Sequence, residues 1–144
     1  MPKRIYLDSN VFISLIREEI DSSLNLLYID SQNFFSLCSE ENHVLILSGW
    51  FFEEISRKIS FSREEVLQEF KKIGIAFFIV DKKPSKDLIS MISKECEIHF
   101  GDAIHMAIAY ENKADFIATW NKKDFEKGNK FVKCFSPKEI SYIL

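Results

Sequence analysis

Four short runs of nearly uninterrupted apolar residues constrain what this chain can fold into: Arg4–Leu7, 43–47 (HVLIL), 75–80 (IAFFIV) and 116–119 (FIAT). A strand with one wet face alternates apolar and polar residues. A run that is apolar at every position reads as a strand covered on both faces, which is the signature of a parallel sheet between helical layers. The segments between the runs have helical spacing. Val11, Phe12, Leu15 and Ile16 define a helix starting near Ser9 or Asn10. Leu24, Leu27, Tyr28, Phe34, Phe35 and Cys38 define a second, capped by Asp21 or Ser22 and broken near Ser31. A third carries Trp50, Phe51, Glu54, Ile55 and Lys58. Ser62-Arg-Glu-Glu65 is a capping box for a fourth, which Gly74 stops. Ser85 opens a fifth, with Leu88, Ile89, Ile92 and Cys96 inward. After an interruption at Phe100-Gly-Asp102, residues 103–111 are helical again. Residues 122–130 read as a polar surface loop and 130–135 as a fifth strand. Ser136, with Pro137 behind it, caps a last helix. The expected fold is α/β: a three-layer α/β/α sandwich around a mainly parallel sheet of four to five strands.

A chain of 144 residues without a linker, repeat or low-complexity tract makes one domain, 1–144. With 47% hydrophobic residues and 14 phenylalanines it can bury a full core. Net charge is −3, which argues mildly against retention on nucleic acid by global charge. It is compatible with a nucleic-acid enzyme whose acids a metal neutralises. Cys38, Cys96 and Cys134 are too scattered for a disulfide framework or a zinc site, which points to buried thiols in a reducing cytosol. The N-terminal apolar run is cut short by Asp8 and is no signal peptide. No run approaches the roughly 20 apolar residues that cross a bilayer. A cytoplasmic protein is expected.

In such folds ligands gather beyond the carboxyl ends of the strands. Asp8 follows the first strand, Glu53 and Glu54 sit in the helix after the second, Asp102 lies at a helix start, and Asn121 and Asp124 follow the fourth strand. Clustered carboxylates repel and raise one another's pKa, and a divalent cation removes that penalty. Oxygen ligands without a thiolate or histidine motif point to Mg²⁺ or Mn²⁺ rather than Zn²⁺, with a phosphodiester as the natural substrate. Each acid also has a plain structural reading. Asp8 could be a helix N-cap, Glu53 a solvated side chain, Asp102 a partner of a helix dipole, and Asp124 a turn residue. His99 and His105 flank Asp102 and read as helix-surface or packing residues. Trp50 and Trp120 read as core or interface residues that could otherwise stack on bases. Arg17, Arg57, Lys58, Lys122 and Lys123 lie near the expected mouth and read by default as a solvated charged face that could otherwise steer phosphates.

Four segments, in order, resemble the motifs of PIN-domain nucleases. Tyr6-Leu-Asp-Ser-Asn-Val-Phe-Ile13 is similar to the family's opening strand and Leu-Asp-Thr-Asn-Val. Ser48-Gly-Trp-Phe-Phe-Glu-Glu-Ile55 resembles its second motif, with Glu54 at the acid position. Gly101-Asp-Ala-Ile-His-Met-Ala-Ile-Ala109 resembles the third, and Ala118-Thr-Trp-Asn-Lys-Lys-Asp-Phe125 the fourth. The resemblance spans nearly the whole chain. It implies a PIN fold and metal-dependent hydrolysis of RNA, as in the VapC-like toxins of toxin–antitoxin pairs. Residue by residue, Asp8, Glu54 and Asp102 match the metal-binding acids, and Asn10 and Thr119 match polar residues beside them. Many members have Asp where this chain has Asn121, so Asn121 or Asp124 fills the fourth position. The implied mechanism is in-line attack by a metal-bound water, with 5′-phosphate and 3′-hydroxyl products. The implied partners are an RNA substrate and an antitoxin laid across the acids. Phe34, Phe35, Phe51 and Phe52 are candidates for that groove, for a homodimer face, or for the core. Asn121 also keeps open a PIN-like domain that binds RNA or protein without cutting. A nucleotide-binding domain needs a glycine-rich phosphate loop, and the four scattered glycines do not make one.

Overall fold

The computed structural model describes residues 2–144. The chain forms a five-stranded, all-parallel sheet between two layers of helices, a three-layer α/β/α sandwich. In order, the elements are β1 (Arg4–Leu7), α1 (Ser9–Ile16), α2 (Leu27–Glu40), β2 (Val44–Ser48), α3 (Gly49–Ile59), α4 (Arg63–Ile73) and β3 (Ala76–Val80). They continue as α5 (Lys86–Cys96), α6 (Phe100–Glu111), β4 (Phe116–Ala118), α7 (Lys122–Phe125), β5 (Cys134–Phe135) and α8 (Pro137–Ile143). The strand order is β3-β2-β1-β4-β5. β1 is central, paired to β2 through Ile5–Leu45 and to β4 through Tyr6–Ile117. The chain builds outward from β1 to β3, then returns to lay β4 on the other side of β1. The sheet therefore has its topological switch point between β1 and β4.

The period-two alternation of the strands divides the core. Ile5, Leu7, Leu45, Leu47, Phe116 and Ala118 face one layer, where Phe12, Phe35, Phe51 and Phe70 meet them. Tyr6, Ile46 and Ile117 face the other, against Ile92 of α5 and Met106 of α6. Phe12 is the hub of the first layer, touching the rings of Phe51, Phe61 and Phe70 at centroid separations of 6.4, 6.1 and 5.4 Å. Phe34, Phe35 and Phe51 are fully buried core residues, and Phe52, 5% exposed, packs with them and reaches the floor of a cleft, so the four do not form a dimer face.

Local chemistry sets the helix ends. Ser62 and Glu65 form the expected capping box on α4, and Ser136 and Glu139 form a second on α8 behind Pro137. Gly74 ends α4 at φ +80°, a conformation that favours glycine. Four expectations need correction. The second helix starts at Leu27, not at Asp21. The Asp21 carboxylate instead accepts from the backbone N–H groups of Ser23 and Asn25, which closes a turn. Nor does α2 break at Ser31, whose buried hydroxyl pairs with Ser14 at 2.7 Å. The fifth strand is only Cys134–Phe135, because residues 130–132 continue a turn. Residues 122–128 are not loop but α7 and a 3-10 turn, tied to α8 by a Lys122–Glu139 ion pair of 2.7 Å.

Candidate metal centre

Asp8 leaves β1 at the switch point and enters α1. It occupies the N-cap position with extended backbone, yet its side chain makes no capping hydrogen bond. The carboxylate instead accepts from the Thr119 hydroxyl, which follows β4, at 2.7 Å. Asp8 is 6% exposed. Burial raises its pKa and the Glu54 charge adds to the rise, while His105, the Thr119 hydroxyl and the Ser9 N–H offset part of it. A simple helix cap would not look like this.

Glu54 reaches the same place from α3. Ser48 caps α3 by accepting from the Phe51 N–H at 3.0 Å. One turn on, Phe51 and Ile55 enter the core and Glu54 lies beside them, half-buried, while Glu53 is exposed. Glu54 Oε1 accepts from the Ser9 hydroxyl at 3.0 Å and lies 2.9 Å from His105 Nε2. Burial pushes its pKa up, but the His105 bond and charge, the Ser9 bond and the Lys58 charge outweigh burial and hold it below the usual value.

His105 is the residue that sequence reasoning missed. It lies one turn after Asp102 on α6, is 2% exposed, and points into the acids. One donor atom each from Asp8, Glu54 and His105 lie within 4.8 Å of one another, a set that could hold a metal ion. Burial disfavours the imidazolium, but the Glu54 hydrogen bond and the charges of Asp8, Glu54 and Asp102 outweigh it, so the His105 pKa is raised. The other ring nitrogen, Nδ1, is bonded to the wholly buried Tyr6 hydroxyl, which also lies 2.9 Å from Ser48 Oγ. A run of buried polar contacts therefore passes from Ser48 through Tyr6 and His105 to Glu54 and Ser9.

The remaining expected residues surround this set. Asp102 lies outside the closest group. It is half-buried in the first turn of α6, and burial, then the Asp8 charge, raise its pKa, with Asp124 adding and His105 and His99 opposing. A carboxylate serving only a helix dipole would be lowered. Asn10 Oδ1 accepts from the Trp120 N–H at 3.1 Å, and its amide donates to Thr119 Oγ1 at 3.4 Å. Thr119 Oγ1 also accepts from the Asn121 N–H at 2.9 Å. This keeps the β4 exit folded over Asp8. Asn121 precedes α7, and half-buried Asp124 sits inside it.

Two of the basic candidates are committed elsewhere. Arg17 donates to the Lys58 carbonyl at 2.6 Å, and Lys122 pairs with Glu139. Trp120 donates through Nε1 to Ser14 and Ser31, and so it is a packing residue.

The donor set fits a divalent cation, since two carboxylates and an imidazole from three elements converge on a buried place. The imidazole departs from the all-oxygen expectation, and the ion's identity does not follow from the set. No protein-family model and no curated protein matches the chain. Among solved structures, the crystal structure of PAE2754 from Pyrobaculum aerophilum is similar, with a TM-score of 0.52 over 99% of this chain and 97% of that one at 12% identity. That likeness is one of fold. No helix among the described residues is long and apolar enough to cross a membrane.

Proposed function

We propose that this chain is a metal-dependent ribonuclease of the PIN-domain kind, hydrolysing RNA phosphodiester bonds in the manner of VapC-like toxins. The convergence of Asp8, Glu54 and His105 at the switch point of a parallel sheet carries the reading. The order of the four motif segments supports it. Asp8, Glu54 and His105 would hold the ion, with Asp102 facing it from α6 and Asn121 or Asp124 orienting water from the β4 side. Mn²⁺ or Mg²⁺, when bound, supplies a Lewis acid and a water acidified enough to attack a phosphodiester. The chain's own part is positional. Thr119 fixes the Asp8 carboxylate, Ser9 fixes Glu54, and the hydrogen bond between Tyr6 and Nδ1 holds the His105 ring with Nε2 toward the acids.

The test is RNA cleavage by purified protein, free of any partner, with Mn²⁺, with Mg²⁺ and with EDTA, beside Asp8→Asn. Cleavage is expected only with metal and only in the wild type. Equal cleavage by folded Asp8→Asn sinks the assignment. The second reading is a PIN-like module that binds without cutting. Asn121 at the usual acid position favours it, and folded wild type that binds RNA but cuts with neither metal selects it. An antitoxin remains implied by the resemblance alone, and the homodimer face would rest on Phe34, Phe35, Phe51 and Phe52, which are buried.

A further inference from the structure

A cleft of about 660 Å³ opens beside the metal centre, past the carboxyl ends of β2 and β3. Its volume lies in the range of about 300–1,000 Å³ typical of small-ligand sites. Phe52, Ile89 and Ile104 make an apolar floor, and Trp50 and Phe100 stand at its sides. Trp50 is half-buried and Phe100 is 61% exposed, so both rings keep accessible surface at the cleft. The rim is the segment Lys82-Lys83-Pro84-Ser85-Lys86. All three lysines are exposed and, among the described residues, none forms an ion pair. Two acids line the wall. Asp81 is neutralised by a two-point pair with Arg63 at 2.9 and 3.1 Å, which leaves Glu53. In a chain of net charge −3, this mouth is positive.

The cleft and the metal centre share two helices. On α3, Glu53 faces the cleft and Glu54 the centre. On α6, Phe100 and Ile104 face the cleft while His105 faces the centre. A ligand lying in the cleft therefore runs past α3 and α6 toward Asp8. Flat apolar surfaces beneath a row of unpaired cations match one chemistry, an unstacked base with phosphates on either side. We infer that this cleft is a nucleobase subsite for single-stranded RNA. A base lies between Trp50 and Phe100, Lys82, Lys83 and Lys86 hold the backbone, and the strand is directed toward the acids. The inference rests on the ribonuclease reading for its purpose, but binding here needs no metal. An acidic protein segment is the rival occupant. It would use the lysines but has no planar group to require Trp50.

The test is binding of a short, labelled single-stranded oligoribonucleotide in EDTA, followed by anisotropy. Trp50→Ala should weaken binding about tenfold or more, while Trp50→Phe, which keeps a stacking face, should retain most of it. Changing Lys82, Lys83 and Lys86 together to Gln at exposed positions leaves the core intact. It should make the slope of log affinity against log salt shallower by about 2, three contacts at about 0.7 each. Cleft variants that bind as the wild type does, or wild type that binds a duplex as well as a single strand, overturn the subsite. Trp50→Ala and Trp50→Phe weakening binding equally also overturns it, because stacking is then not the cause. The nuclease reading fails separately. If cleft variants bind weakly but loaded wild type does not cut, the cleft stands and the nuclease falls. If wild type cuts and the cleft variants cut with unchanged KM, the reverse holds.

Discussion

Without a metal, the acids around His105 favour a proton on its ring, and a cation bound through that ring would displace it. His105 Nε2 sits 2.9 Å from Glu54, within a set of atoms lying inside 4.8 Å of one another. Burial opposes the imidazolium, but Glu54, Asp8 and Asp102 raise its pKa above the ordinary 6.5. An ion bound through Nε2 requires that proton to leave. Below the raised His105 value, Mn²⁺ binding should therefore release one proton per ion. Affinity should then rise tenfold per pH unit, about 1.4 kcal/mol per unit. Above that value the dependence should flatten. Asp8, raised chiefly by burial, adds a second proton further into acid, while Glu54, held low by His105, does not titrate near neutrality. Stability without metal should run the other way. A histidine whose pKa rises on folding stabilises the fold below its unfolded value, and that contribution is lost as pH climbs through the folded value. A buried carboxyl with a raised pKa likewise costs stability once ionised. Metal-free protein should thus weaken as pH rises, and the Mn²⁺-induced rise in Tm should grow. Calorimetric titration with Mn²⁺ in two buffers of different ionisation enthalpy counts the protons, and His105→Gln removes the titrating group. No proton release near neutrality, or a wild-type slope in folded His105→Gln, would refute the assignment of His105 as both counter-cation and ligand.

Two further outcomes are expected. Thr119→Val removes the 2.7 Å donor to Asp8 and leaves the Asn121 N–H without its acceptor. Metal affinity by calorimetry should fall about 10–100-fold, and urea denaturation should show a loss of about 1–3 kcal/mol. Phe12→Ala empties the hub between Phe51, Phe61 and Phe70 and should cost about 3–5 kcal/mol by the same denaturation assay. The metal centre lies outside that cluster, so metal affinity of the folded fraction should stay near wild type.

Much of the architecture was legible because burial on two faces leaves a plain pattern. β1 was placed to the residue, and β2, β3 and β4 to within one at either end. The capping boxes at Ser62 and Ser136 were equally plain, since they are local chemistry. Failures came where a polar side chain had two possible employments. Asp21 reads as a helix cap but closes a turn, and Ser31 reads as a break but bonds to Ser14 across two helices. Residues 130–135 have strand composition, yet only Cys134 and Phe135 reach the sheet edge beside β4. Asp8 and Glu54 were legible as candidates because one follows β1 directly and the other lies in the helix after β2, on the carboxyl edge of the sheet. Phe34 and Phe35 read as the apolar face of α2, but whether that face met the core or a partner was not legible, because it is settled only once α2 packs against α1 and α8.

His105 failed for a more instructive reason. A histidine three residues past an acid on a helix is common, and nothing local tells whether it faces solvent or the acid's neighbours. The distinguishing signal sits ninety-nine residues away by chain separation, in Tyr6. A tyrosine at the centre of an otherwise apolar strand buries a hydroxyl that must find partners there. It finds Ser48 on one side and His105 on the other. Phenylalanine at that position would bury as much ring without a polar atom to satisfy. A connected polar run through the core is costly unless every member is paired, so stability alone is a poor reason for it. Its physical effect is to hold the ring that faces the acids. In the tautomer whose Nδ1–H donates to the Tyr6 oxygen, His105 offers a lone pair at Nε2 toward Asp8 and Glu54. The same ring, doubly protonated, closes the site against a cation. A single pairing in the middle of the sheet thus links the burial of β1 to the state of the metal centre.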